Sequence, residues 1–473
     1  MCYLRGQCYA KSNTFEKAKE CYKDAVRINV QCFEAFDQLM KNNLMSPQEE
    51  WAFMESLDFE SIPNQKDQST AQEAAHFTKM LYTTRLSKYK DPTAFSEAID
   101  TLSSHYNLAT NPDLLLSRAD LLFTQCRFKD SLEITDSILS ADKYNFKIYP
   151  LHLANLHALG EKNTLFLISH ELADHHPEEP VTWLAVGVYY LTVDKIPEAR
   201  RFFSKASMMD PHFGPAWIGF AHTFAAEGEH DQAISAYSTA AQLFQGTHLP
   251  QLFLGMQHLQ LSNWILADEY LQGASALCQT DPLLLNELGV TYYHRGHFAN
   301  AIPLFQDAIA RADETGSDPR AWVSTHANLG HAYRRCNMFP EALAEFDDVI
   351  RTGGKDAQAF TSRALVLMEM GHTWEATVAL HDALAVSPQD PVATDLLDRA
   401  LREGMARGGV LGDLTMEHDE ERDGEIEMVL NQRIASMPVA VTRVAKGKGK
   451  GKRVSILDRR VTVDESSLME VSD

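Results

Sequence analysis

Along most of this 473-residue chain the same residue types recur at a 34-residue interval, and that period constrains the fold more than any single motif. The clearest unit begins at Pro180. Counting it as position 1, Trp183 stands at position 4, Gly187 at 8, Tyr190 at 11, Ala199 at 20, Phe203 at 24, Ala206 at 27 and Pro211 at 32. One period on, Trp217, Ala221, Phe224, Ala233, Tyr237 and Ala240 occupy the same slots, and the next step brings Leu254, Gly255, Ala267, Leu271 and Ala274. The following unit holds Leu288, Gly289, Tyr292, Ala301, Phe305 and Ala308. After a seven-residue insertion around 314 to 319 come Leu329, Gly330, Tyr333, Ala342 and Phe346, and the last unit carries Phe360, Ala364, Ala376, Leu380, Ala383 and Pro388.

This is the tetratricopeptide pattern, and it predicts an all-α tetratricopeptide-repeat superhelical solenoid. Positions 4, 7, 8 and 11 line one face of a first helix, and 20, 24 and 27 line the facing stripe of a second. Small residues at 8 and 20 let the two backbones approach, and a large residue at 4 or 24 fills the remaining volume. Proline at 32 ends the second helix, since it has no amide to donate. On this reading Trp183, Trp217, Tyr190 and Tyr237 are packing residues. A single hairpin cannot bury its apolar face alone, so neighbours stack and the array curls around a concave wall.

The period also divides the chain. Residues 1–32 read as one unit that starts inside its first helix, through Gly6, Tyr9, Ala18, Tyr22 and Ala25. Residues 33–111 break the period: a short helix pair at 32–40 and 46–54, the second opening on a Ser cap and a Pro, then a loop at 59–69 and an amphipathic helix at 70–88. Residues 112–390 form an array of eight units, followed by a capping helix at 391–402 and a disordered, charged tail at 403–473. That tail holds an acidic run at 417–427 and a glycine-spaced basic run at 446–453, read here as solvated charge; a nuclear import signal or a nucleic-acid contact is the competing meaning of the second.

Composition narrows the function classes. There are 43 Lys+Arg against 65 Asp+Glu, a formal charge of −22, which disfavours a general binder of phosphate backbones and favours a basic partner. No window approaches the roughly 18 uncharged apolar residues of a membrane span, and the first residues alternate charge with apolar side chains, so neither membrane insertion nor export is expected. Seven scattered cysteines contain no C-x-x-C pair, which disfavours disulfides and zinc ribbons and favours a reducing compartment.

No catalytic constellation stands out. The histidine-rich run 170–176 resembles H-E-x-x-H, but His175 follows His170 by five residues, about 140° around a helix, and Pro177 then stops it. Phosphate-binding glycine loops and G-x-S-x-G elbows are absent from the repeats. No metal and no cofactor are expected. What remains is binding by the concave wall, where positions 2, 5, 9 and 12 of each first helix point. Those slots nominate Leu184, Val188, Ile218, His222, Leu252, Met256, Asn286, Val290, Tyr293, Ala327 and His331, with Arg334 and Arg335 adding positive charge at one end. No repeat carries the Lys at 5 and Asn at 9 with which co-chaperone modules grip a terminal carboxylate. The wall is therefore expected to take an extended or helical peptide with apolar anchors.

Between 214 and 255 the motifs GPAW, EHDQA, TAAQL and G-x-HLP follow one another, with PVTWLAVGVYYLTV and EARRFFSKA upstream and CFEAFDQL and QEEWAFMESL near the start. Together they resemble the sixth, tetratricopeptide subunit of the anaphase-promoting complex, the cell division cycle sixteen family, over about residues 3 to 390. The resemblance implies a non-catalytic scaffold of a large ubiquitin ligase in mitotic cell-cycle control, found in nucleus and cytoplasm. It implies other subunits of that complex as partners, including neighbouring tetratricopeptide subunits and a small accessory subunit whose N-terminal segment lies in the groove. It also implies a homodimer built on N-terminal repeats that this sequence does not carry, so a monomer is expected here. The alternatives are a generic peptide-binding adaptor, another tetratricopeptide subunit of the same complex, and the repeat portion of an enzyme such as a glycosyltransferase. Binding of nucleic acid is not expected.

Overall fold

In the computed structural model the described residues are 1–407 without 13, 42, 43, 62–67, 89, 90, 245 and 355, together with residue 428. The runs 417–427 and 446–453, and with them nearly all of the expected tail, lie outside the described residues. Every regular element among the described residues is helical. The chain opens with a hairpin of α1 (Cys2–Lys11) and α2 (Phe15–Ile28), and then leaves the repeat through α3 (Phe33–Lys41), α4 (Pro47–Glu55), α5 (Gln68–Thr83) and α6 (Pro92–Ser104).

Eight hairpins follow. They are α7 (Pro112–Thr124) with α8 (Phe128–Ala141), α9 (Tyr149–Leu159) with α10 (Lys162–His175), α11 (Pro180–Thr192) with α12 (Ile196–Met209), and α13 (Gly214–Glu227) with α14 (His230–Leu243). After them come α15 (Leu249–Gln260) with α16 (Trp264–Leu277), α17 (Pro282–His294) with α18 (Phe298–Glu314), α19 (Val323–Arg335) with α20 (Phe339–Gly353), and α21 (Ala357–Glu369) with α22 (Thr373–Val386). A last helix, α23 (Pro391–Arg407), covers the end of the stack and runs beyond the boundary expected at 402. Its Val392, Ala393, Leu396 and Ala400 close the core of the final hairpin.

Local chemistry explains the helix starts. Ser46 and Glu49 form a reciprocal capping box with Pro47 in the first turn, and Asp91, Asn111, Asp281 and Asp356 each accept a hydrogen bond from a first-turn amide. Within hairpins the small slots do the steric work the spacing predicted. A Cβ added to Gly187 or to Gly219 would stand 2.7 Å from the ring of Phe203, so that ring is clasped between its own repeat and the next.

The aperiodic region departs from expectation in its details. A 3-10 turn occupies Phe59–Ser61, within the stretch expected to be loop, and the helix expected over 70–88 stops at Thr83. Past that end the buried Lys88 ammonium donates to the carbonyls of Thr84 at 2.9 Å and Leu86 at 2.8 Å, and it sits 4.6 Å from the centre of the Phe95 ring. Tyr82 anchors the region by stacking on Phe36, with ring centres 4.0 Å apart, and by donating its hydroxyl to Val30 O.

The stack closes on itself. The ring of Phe15, at the α1–α2 turn, meets His212, in the linker before α13, edge-on at 5.6 Å. Cys126, in the α7–α8 turn, packs against Ala312, Ala321 and Trp322 ahead of α19. Both contacts join an intra-hairpin turn to an inter-hairpin linker across almost the same length of chain, as two neighbouring turns of one superhelix would.

Candidate polypeptide-binding inner wall

First helices of successive hairpins meet one another: α9 touches α11, α11 touches α13, and the run α15, α17, α19 and α21 is continuous. In a curved stack the crowded side is the inner one, so these helices form the wall. Crowding also decides what remains accessible. Of the residues nominated by the spacing, Leu184, Leu252, Asn286, Val290, Tyr293, Ala327, His331 and Arg334 are buried between neighbouring helices, with Leu252 at 0% exposure and Arg334 at 5%. Val188, Ile218, His222 and Met256 are half-buried, and Arg335 is exposed. The accessible apolar stretch therefore lies along α11, α13 and α15, and the polar stretch along α17, α19 and α21.

The polar stretch is a hydrogen-bonded seam. Asn286 Nδ2 donates to Glu287 Oε1 at 3.0 Å, and Asn328 Nδ2, one hairpin on, donates to Asn286 Oδ1 at 3.3 Å. His331 Nε2 pairs with Ser362 Oγ at 3.3 Å, and Arg334 Nη1 donates to Glu369 Oε1 at 2.6 Å. Arg335 lies over the Phe298 ring, 4.7 Å from its centre. At the other end, His222 Nδ1 pairs with the Tyr237 hydroxyl and its ring sits edge-on to Phe253 at 4.8 Å.

Burial sets the charges of this seam. Desolvation pushes the Glu287 carboxyl up to about 7, opposed by the hydrogen bond from Asn286. Desolvation, joined by the nearby Arg334 charge, pushes His331 down to about 3, and desolvation brings His222 down to about 4 with His157 adding to it. These imidazoles are neutral at physiological pH, so they offer one donor and one acceptor each rather than charge. Three polar atoms on α19 have no hydrogen-bond partner although they are buried: Thr325 Oγ1, Asn328 Oδ1 and His331 Nδ1. Such atoms are costly unless something satisfies them.

Sequence reasoning missed Glu287, Asn328 and Ser362, which occupy position 6. The signal was present: earlier repeats hold Ala185, Gly219 and Phe253 in that slot, and a charged or amide residue among them marks a polar wall. The histidines of 170–176 do not converge. His170 packs edge-on to Phe166 at 4.4 Å, while His176 faces Tyr144 and Phe146. Among the described residues no group of three or more His, Cys, Asp or Glu is arranged to hold a metal ion. No described helix is long and apolar enough to cross a membrane, and all seven cysteines are free thiols.

Comparison with known proteins fits this architecture. Tetratricopeptide repeat family models match residues 1–31 and 284–314. The chain is 50% identical over 437 residues to the anaphase-promoting complex subunit cut9 of Schizosaccharomyces pombe, covering 92% of this chain and 64% of that protein. It therefore spans just under two thirds of that relative's length. It is 33% identical over 418 residues to anaphase-promoting complex subunit 6 of Arabidopsis thaliana, covering 86% of this chain and 74% of that one. The crystal structure of the APC/C hetero-tetramer Cut9-Hcn1 superposes with a TM-score of 0.74 at 52% identity, over 85% of this chain and 76% of that chain. With identity of this extent and hairpins that superpose along most of their length, the chain belongs to the tetratricopeptide family of anaphase-promoting complex subunits that contains Cut9 and subunit 6.

Proposed function

We propose that this chain is a non-catalytic scaffold subunit of the anaphase-promoting complex ubiquitin ligase, and that its inner wall holds the N-terminal segment of a small accessory subunit of the kind named in the Cut9-Hcn1 structure. The observation that carries the binding half is the run of half-buried Val188, Ile218 and Met256 along α11, α13 and α15. Half-buried aliphatic side chains along a concave wall suit the apolar anchors of a bound polypeptide. The formal charge of −22 adds attraction for a basic partner.

The scaffold half rests on family membership, and with it come neighbouring tetratricopeptide subunits as partners, a part in mitotic cell-cycle control, and residence in nucleus and cytoplasm. Affinity purification followed by mass spectrometry tests it. Co-purification of other subunits of the ligase is the expected result, and recovery of chaperones alone would reject the assignment. Calorimetry of the purified chain with Hcn1 tests the binding half separately, with saturable binding at one site expected.

A further inference from the structure

We propose that residues 312–322 form a latch that locks one turn of the superhelix onto the next by seating Trp322 on the α7–α8 turn at Cys126. The segment is longer than the four-residue linkers 176–179, 210–213 and 278–281. Helix α18 runs to 17 residues where α12, α14 and α16 have 14, and a 3-10 turn at Pro319–Trp322 precedes α19. The additional residues are braced from within. Ser317 Oγ donates to Ala312 O at 2.6 Å and accepts from Trp322 Nε1 at 3.0 Å, Gly316 takes a φ of +66°, and Asp318 caps the amide of Arg320 at 3.1 Å. With its one polar atom satisfied locally, the indole is free for apolar contact. Trp322 is 5% exposed, and Cys126 packs on the small cluster it forms with Ala312 and Ala321.

The facing side is shaped to match. Cys126 takes a φ of +58°, a conformation that costs a residue with a Cβ, and apolar contact with the cluster offsets that cost. Burial, with the Asp281 carboxylate adding to it, pushes the Cys126 thiol up to about 12. Asp281 belongs to the linker before α17, where it pairs with His248 Nε2 at 2.7 Å. The α7–α8 turn thus reaches the linker before α19 of the next superhelical turn, with Asp281 of the preceding linker near enough to act on its thiol. The Phe15–His212 contact repeats the same relation elsewhere in the stack. With the seam closed, a polypeptide on the inner wall leaves endwise or waits for the seam to part; this consequence rests on the inner-wall reading, and the latch itself does not.

The test is site-resolved alkylation of the native full chain with N-ethylmaleimide, using the exposed Cys8 as internal reference. Cys126 is expected to react at least about tenfold more slowly than Cys8, because little thiolate forms in the closed seam. Trp322→Ala should speed Cys126 alkylation about tenfold and enlarge the particle in small-angle scattering, with helicity retained. Trp322→Phe should keep the protection. If Trp322→Ala loses helicity, Ala321→Glu is read in its place. Wild-type Cys126 reacting as fast as Cys8, or unchanged protection in a helical Trp322→Ala, overturns the latch. The release step has its own readout: Hcn1 should dissociate faster from Trp322→Ala than from wild type. Failure of Hcn1 to bind wild type would sink the inner-wall reading and leave the latch decided by alkylation alone.

Discussion

Gly228 and Ser262 occupy the same left-handed turn one repeat apart, at φ +79° and +59°. Every hairpin of the array pivots there, on Cys126, Gly160, Asp194, Gly228, Ser262, Gly296, Asn337 or Gly371. Only glycine enters this conformation without a steric cost. Nothing lies within 4 Å of a Cβ built on Gly228, so backbone strain rather than collision decides the outcome. Ser262→Gly should therefore stabilise the chain by about 0.5–1 kcal/mol and Gly228→Ala should destabilise it by about 1 kcal/mol. Urea unfolding followed by circular dichroism measures both. A Ser262→Gly variant less stable than wild type would show that the serine is held by contacts rather than tolerated.

That pivot also shows what a sequence reveals and what it hides. The packing slots were legible because steric demand restricts them to small or large residues: Gly187 at position 8 exists for the ring of Phe203, and few other residues fit. The pivot slot was illegible because glycine, aspartate, serine, asparagine and cysteine all enter it. The wall was half legible. Helical spacing located the first-helix face, but it could not reveal how strongly curvature presses successive first helices together. Leu252 and Asn286 therefore point toward the wall and are nonetheless buried, while Met256 stays accessible. The seam between superhelical turns left only one trace, the insertion around 314 to 319, because contacts across that much chain follow no period.

The Arg334–Glu369 pair joins α19 to α21 at 2.6 Å, with the guanidinium buried and the carboxylate about one-third exposed. Removing the carboxylate strips a buried cation of a charged partner, whereas an exposed pair such as Arg351–Asp348 contributes little. Glu369→Ala should cost about 1–2 kcal/mol and Asp348→Ala less than about 0.5 kcal/mol. Chemical denaturation of the two variants gives the comparison, and equal costs would mean that the buried guanidinium is sustained by its other contacts.

The buried acid and the buried imidazoles give stability opposite dependences on pH. Glu287 titrates at about 7 in the fold and at about 4.3 when unfolded, so between those values the folded state binds more protons and stability falls as pH rises. His331, at about 3, and His222 and His294, at about 4, are depressed below the unfolded value near 6.5, so stability is lost as pH falls through that window. Glu287→Gln keeps an acceptor for Asn286 and cannot ionise. It should stabilise the chain by on the order of 3 kcal/mol at pH 8 and by only about 1 kcal/mol at pH 5. Thermal unfolding across pH checks it, and a variant whose gain is the same at both values would place the effect in packing rather than in ionisation.

The inner wall itself can be separated from the core by choosing residues of different burial. Leu252 is fully enclosed, so Leu252→Asp buries a carboxylate and should cost more than about 3 kcal/mol, which makes any loss of binding uninformative. Ile218 and Met256 are only half-buried on α13 and α15, and an aspartate at either place can reach water. Ile218→Asp with Met256→Asp should therefore stay folded while weakening Hcn1 binding at least tenfold, about 1.4 kcal/mol, through loss of apolar anchors and desolvation of the new carboxylates. Calorimetry beside a melting curve separates the two effects. An affinity equal to wild type in the folded double variant would mean that the polypeptide does not lie along this stretch of the wall.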